Sequence, residues 1–411
     1  MKSAREYRSA RRPISMATTV GLVAGILAAS ASSASATTCV AADGVQQSAN
    51  LQSIIDYAST GDAIVIKGTC VGNFQIPGGG TATSLTLLGK GNPKPTLDGG
   101  TTGTVLTVGG ANVTVKNLLI TNGLAASFGG GIDESGGNIT LTGSTEVSGN
   151  SSGYGGGVSV INGSLMMNGA ARVTGNSATY IGGGVIADGA PVTMGGNARV
   201  SNNTSEGNGG GIALCDASLA MSRNAQVNSN SAPSGWGGGV YGLIPNCTPN
   251  SVSMTGTSQV DGNHAGVGGG GIYLSQNNGT VTLNKFAQVN GNTSDQFGAG
   301  IAVEIGDTVT LNGSAQVNNN ATLQNGGGVA MCTGTLIMNG NSQVNGNTAG
   351  NISGGISNAC SGSVTMTGAS EVKYNIAGVD AGGIYNFGGS TLVGAVDGGN
   401  VASNSPNNIV T

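Results

Sequence analysis

Histidine and tryptophan occur once each in this chain, aromatics amount to 3% of it and charged residues to 8%. Each shortage removes a class of function. With one histidine and no Cys-x-x-Cys pair, the usual zinc ligand sets cannot be assembled, so no metal site is expected. Beyond residue 36 there are nine Lys or Arg against 17 Asp or Glu, a net charge of about −8. Nucleic acid and anionic membranes are therefore poor partners, because both are held by clustered cations that release counterions. No apolar run of ~20 residues follows the first 36, which argues against a transmembrane segment in the mature chain.

What the chain has instead is glycine, 78 residues of it, and regular spacing. Lys2, Arg5, Arg8, Arg11 and Arg12 precede an apolar run from Met16 to about Ala29, and Ala34-Ser35-Ala36 follows. That order of charge, apolar stretch and small residues is the pattern of an export signal cleaved after Ala36, so residues 1–36 are expected to leave a secreted protein. Composition alone would also suit a disordered low-complexity segment, but apolar residues recurring at fixed intervals do not.

Gly-Gly-Gly, or a close variant, precedes Ile132, Val158, Val185, Ile212, Val240, Ile272, Ile301, Val329, Ile356 and Ile384, at intervals of 26 to 32 residues. Each unit also holds Val-x-x-Asn, whose asparagines are Asn150, Asn176, Asn203, Asn230, Asn263, Asn292, Asn320, Asn347, Asn375 and Asn404. Alternating segments such as Val252-Ser253-Met254-Thr255 and Val309-Thr310-Leu311-Asn312 lie in between, with the period-two pattern of half-buried strands. A unit of about 27 residues with three short strands cannot bury its apolar face alone, whereas stacked units can. The fold expected is an all-β, right-handed parallel β-helix over residues 128–411. Residues 37–127 supply irregular first coils and a short capping helix from Leu51, Ile54, Ile55 and Ala58, in one continuous domain. The asparagines are expected to stack as a structural ladder, and the glycine triplet to mark positive φ or close backbone approach.

Six cysteines in an exported chain are expected to pair. Cys39 with Cys70 would tie the capping helix to the first strand, while Cys215 with Cys247 and Cys332 with Cys360 are spaced by about one coil.

The Gly-Gly-Gly-[Ile/Val] and Val-x-x-Asn motifs resemble the repeat of the polymorphic outer-membrane-protein family, with its Gly-Gly-Ala-Ile and Phe-x-x-Asn, over residues 129 to 404. The early coils look like the start of pectin-lyase-like β-helices. The first resemblance implies a β-helix displayed or released outside the cell with an adhesive role, and the second implies polysaccharide lyases or hydrolases. Chemistry of the latter kind needs clustered carboxylates. Asp188 and Asp216, with Arg223 in the same unit as Asp216, are the candidate catalytic residues. These acids, Asp133/Glu134 and Glu304/Asp307 are also the places where calcium would bind. Glu146, Arg172 and Arg199 should stack as an outward charge ladder, and His264 reads as a turn residue. Phe128, Tyr154, Tyr180, Trp236 and Phe297 precede the glycines and should line one edge. Tyr241, Tyr273 and Tyr385 should point outward, so Trp236, Tyr241 and Tyr273 form a candidate platform for a sugar ring. A non-catalytic β-helix, secreted or wall-associated, that binds carbohydrate or a surface is the leading expectation. The alternatives are a polysaccharide lyase or hydrolase, and an ice-binding face built on Thr140/Thr142, Ser253/Thr255 and Thr365/Thr367 but interrupted by Met166, Ala220 and Ile337.

Overall fold

The computed structural model describes residues 38–78, 83–242, 247, 250–275 and 278–411. The expected export signal lies outside the described residues. The chain enters as two antiparallel strands, β1 (Val40–Ala42) and β2 (Gln47–Ser48), then the helix α1 (Leu51–Tyr57), then β3 (Ala63–Lys67). Asn50 caps α1 by accepting from the Gln52 and Ser53 amides, and Leu51, Ile54 and Ile55 bury the helix against the first coil.

From β3 onward the chain winds as a parallel β-solenoid of about 12 turns. A regular coil visits four sheets in order, as in Ser218–Met221, Gln226–Asn228, Ser231–Ala232 and Val240–Gly242. These belong to sheet I with 15 strands, sheet II with 13, sheet III with nine and sheet IV with 13. Sheets I, II and IV run unbroken through the irregular early coils, which are therefore full turns of the same stack. Sheet III starts only at Ser151–Tyr154, and it is the departure from three strands per coil. Most of its strands are two residues long, with a small buried residue such as Ala232, Ala265 or Ser294 pointing inward.

Equivalent side chains stand in internal files. Ile212, Val240 and Ile272 are in register and fully buried in sheet IV, as are the valines of the Val-x-x-Asn motifs in sheet II. The asparagine ladder follows from the same stacking. In each central rung the Asn Nδ2 donates to the next Asn Oδ1 and to a valine carbonyl, while Oδ1 accepts from the Nδ2 and backbone amide of the rung before. One residue type thus closes the turn and links neighbouring coils.

The glycine triplet divides into two roles. Its first position has positive φ, +66° at Gly237 and +63° at Gly269, and Ser353 (+62°) and Ala381 (+52°) hold the same conformation where glycine is absent. The second and third positions are set by space, because a Cβ on Gly238 would fall 2.3 Å from the His264 carbonyl oxygen.

The cystines join Cys39 to Cys70, Cys215 to Cys247 and Cys332 to Cys360. Cys39 immediately precedes β1, so the first bridge fastens the antiparallel entry strand to sheet II, rather than fastening α1.

On the outer face of sheet II, Asp261 takes the place of asparagine in a file with Asn228 and Asn290. Burial raises its pKa to about 6, against the opposing effect of a hydrogen bond from the Asn290 amide. Because the folded pKa lies above the unfolded one, stability is lost as pH rises from about 4 to about 6 and stays lost above. Asp261→Asn should therefore raise stability at pH 7 by about 2 kcal/mol and leave it unchanged near pH 4, measured by urea unfolding at both pH values. An equal gain at both would show that ionisation is not the cause.

Candidate functional site

The outer face of sheet IV carries the strongest candidate. The second residues of successive strands form one file, in which Tyr241, Tyr273, Ala302, Ala330, Ser357 and Tyr385 follow in register. Three small residues thus lie between tyrosine rows four rungs, or roughly 19 Å, apart at ~4.8 Å per rung. The missing side-chain volume is a groove enclosing about 250 Å³.

One wall is a ridge formed by residues that precede the glycines. Trp236, Gly268, Phe297 and Asn325 bridge from coil to coil there, and Ile352 extends the lining. The Trp236 indole lies across Gly268, where a Cβ would fall 2.8 Å from the ring, so that glycine makes room for the aromatic. The other wall holds the Cys332–Cys360 bridge and Glu304. Glu304 is fixed by donation from the Tyr273 hydroxyl (3.1 Å) and the Ser275 hydroxyl (2.9 Å). It is the only carboxylate among the described residues lining the groove.

Trp236, Tyr241 and Tyr273 do come together, with ring centroids 4.4 Å apart for Trp236 and Tyr273 and 5.7 Å for Tyr241 and Tyr273. They do not form an exposed platform. Tyr241 and Tyr273 point away from the main core, but they are buried in a second apolar cluster with Ile186, Ala213 and Cys215, against which Trp236 and Cys247 pack. Burial, followed by the Glu304 charge, pushes the Tyr241 hydroxyl up to about 12 and raises that of Tyr273 further, so both remain neutral. Only Trp236 of the three lines the groove, joined by Phe297. Phe128, Tyr154 and Tyr180 stack at 5.2 Å intervals farther along the ridge, and half-buried Tyr385 stacks on Phe387.

The candidate catalytic residues are not assembled. Asp188 is buried at the end of Val185–Asp188, in register with Cys215, and Asp216 follows at a turn with φ +51°. Arg223 stands at the other end of the Ser218–Met221 strand, exposed in the turn toward sheet II. Cys215, Asp216 and Cys247 converge within 4.8 Å, but both sulfurs are spent in a disulfide and offer no thiolate. Among the acids considered for calcium, Glu134 is buried and accepts from the Gly137 amide, and Asp307 accepts from the Gly279 amide at 2.7 Å. These carboxylates serve as turn acceptors. His264 begins a short strand of sheet III and meets Thr293 Oγ1 at 3.0 Å.

The charge ladder is in register from Glu146 through Arg172 and Arg199, and then continues as Gln226, Gln259 and Gln288. On sheet I, Ser251, Thr280, Thr308, Thr335 and Ser363 form an outward file, whereas the file beside it contains Met166, Ala220 and Ile337.

Comparison with protein-family models, curated proteins and solved structures returns no match. Three disulfides fit an extracellular protein, and no helix among the described residues is long and apolar enough to cross a membrane.

Proposed function

We propose that this is a secreted, non-catalytic binding protein that takes a neutral glycan segment into the groove on sheet IV. The observation that carries the reading is the combination of a partly exposed indole with a fixed carboxylate across an apolar floor. Sugars present C–H faces that pack on aromatic rings and hydroxyls that need oriented acceptors. Trp236 and Phe297 supply the first, while Glu304 and Asn325 supply the second. The four hydroxyl-linked atoms of the Tyr273–Glu304–Ser275 cluster hold the acceptor before any ligand arrives, which lowers the ordering cost of binding. Hydrolysis would need a second carboxylate across the bond to be cut, and the described lining residues carry a single one, Glu304. The repeat's resemblance to polymorphic outer-membrane proteins points the same way, toward adhesion outside the cell.

A glycan array followed by calorimetry on the best neutral ligand tests this. Trp236→Ala should weaken binding by at least ~30-fold, the loss of a buried aromatic contact. Ala330→Leu, which fills the floor without touching the indole, should do the same. Binding that survives both substitutions would remove the groove from the function, and glycan cleavage by the wild-type protein would replace binding with catalysis.

A further inference from the structure

The few cations of this acidic chain are gathered on one corner. Residues 37–411 contain nine Lys or Arg, and eight of them lie in the connections from sheet I to sheet II or on the strand residue beside them. Lys67 and Lys116 end sheet I strands, Lys90, Lys94, Arg223 and Lys285 occupy the turns, and Arg172 and Arg199 begin sheet II strands. Glu146, Glu371 and Asp397 bring negative charge to the same positions, and 14 of the 17 acids lie elsewhere. The corner lies between sheets I and II, whereas the groove lies on sheet IV, and the two share no lining residue.

The cations succeed one another along the axis at several neighbouring positions of the corner, Lys116 in register with Leu88 and Thr142, Arg172 with Glu146 and Arg199. Arg172 and Arg199 are register partners on adjacent rungs, an arrangement of like charges that costs stability. Among the described residues, Lys94 pairs with Glu146 at 3.1 Å and Lys373 pairs with Glu371 at 2.9 Å, and the other seven cations make no ion pair. At ~4.8 Å per rung, Lys67 to Lys285 spans eight rungs, or roughly 38 Å. A polar recess of about 390 Å³ opens on the same corner, lined by Asn92, Lys94, Asn117 and Ser144. Past Arg199 the file continues as glutamines, with Gln226 donating to Gln259 at 2.8 Å, so amides replace cations beside the turns.

We propose that this corner binds a linear acidic polysaccharide carrying about one carboxylate per sugar, laid parallel to the solenoid axis. About one cation per rung suits a polymer of low charge density. Nucleic acid carries a denser charge, and elsewhere on this molecule it would meet repulsion from the acids. Carboxylates would pair with the cations along the corner, sugar hydroxyls would meet the glutamines, and the recess beside Lys94 would take one sugar unit. The site is independent of the groove.

Binding of polygalacturonate at about 20 mM salt, with neutral dextran and a thymidine 20-mer as comparisons, tests the assignment. The wild-type protein should bind polygalacturonate, with affinity falling as salt rises, and should show no salt-dependent binding of dextran. Arg172→Gln with Arg199→Gln extends the glutamine file, and should weaken binding about tenfold and flatten its salt dependence. Arg172→Lys with Arg199→Lys should restore it. Trp236→Ala should leave it unchanged, which separates this site from the groove. Three results would each overturn the proposal: no binding by the wild-type protein at low salt, equal binding by the glutamine variant, or tighter binding of the oligonucleotide.

Discussion

Asn263→Ala should lower stability by about 3–6 kcal/mol, the largest effect of any single side-chain truncation in the ladder. Asn263 is fully buried and makes four hydrogen bonds. Its Oδ1 accepts from the Asn230 amide and Asn230 Nδ2, and its Nδ2 donates to the Val227 carbonyl and Asn292 Oδ1. Alanine removes all four and strands their partners where water does not reach, at ~1–3 kcal/mol for each group left unsatisfied. Asn404 makes equivalent bonds to Val372 and Asn408 but is half-exposed near the last coil, so water can replace what Asn404→Ala removes and about 1 kcal/mol is expected. Because each coil touches only its neighbours, the central defect should also split one unfolding transition into two. Urea unfolding followed by amide exchange on either side of rung 263 would read both. A loss below ~1 kcal/mol at Asn263 would mean that the ladder is decorative.

The ladder and the solenoid were legible in the sequence because both come from strict repetition. A valine three residues before an asparagine, recurring at about one-coil intervals, has a file as its simplest packing solution, and the register of Val200, Val227 and Val260 is that file. What did not repeat was harder to read. Sheet III escaped notice because a two-residue strand such as His264–Ala265 is too short for alternation to register. Tyr241 and Tyr273 lie on the outer side of their strand, as alternation implies, but outer is not exposed in a coil where the glycine ridge, Trp236 and Cys247 pack over that face. The groove depends on Ala302, Ala330 and Ser357, residues that draw no attention until register sets them between two tyrosines. Glu304 was visible as an acid, yet its role came from a hydroxyl 31 residues away on the neighbouring coil.

Gly270→Ala should cost more than ~3 kcal/mol, although alanine is the smallest possible change and the backbone there has ordinary φ. A Cβ at this position would sit 2.2 Å from the Thr293 carbonyl oxygen and 2.6 Å from that of Ala299, both backbone atoms of the next coil. Neither can retreat, because Thr293 and Ala299 belong to a rung fixed by its own bonds, including donation from the Gly271 amide to the Ala299 carbonyl at 2.9 Å. The coils would have to separate, and separation at one turn opens the sheets on both sides of it. Gly262 is the matched control. Its φ is +61° and nothing lies within 4 Å of its Cβ position, so Gly262→Ala pays only the left-handed backbone cost of about 1–2 kcal/mol. Unfolding midpoints for the two variants separate close approach from backbone conformation. If Gly270→Ala proved as mild as Gly262→Ala, the second glycine of the triplet would be a matter of turn shape, and the tight coil stacking that places the groove ridge over sheet IV would lose its explanation.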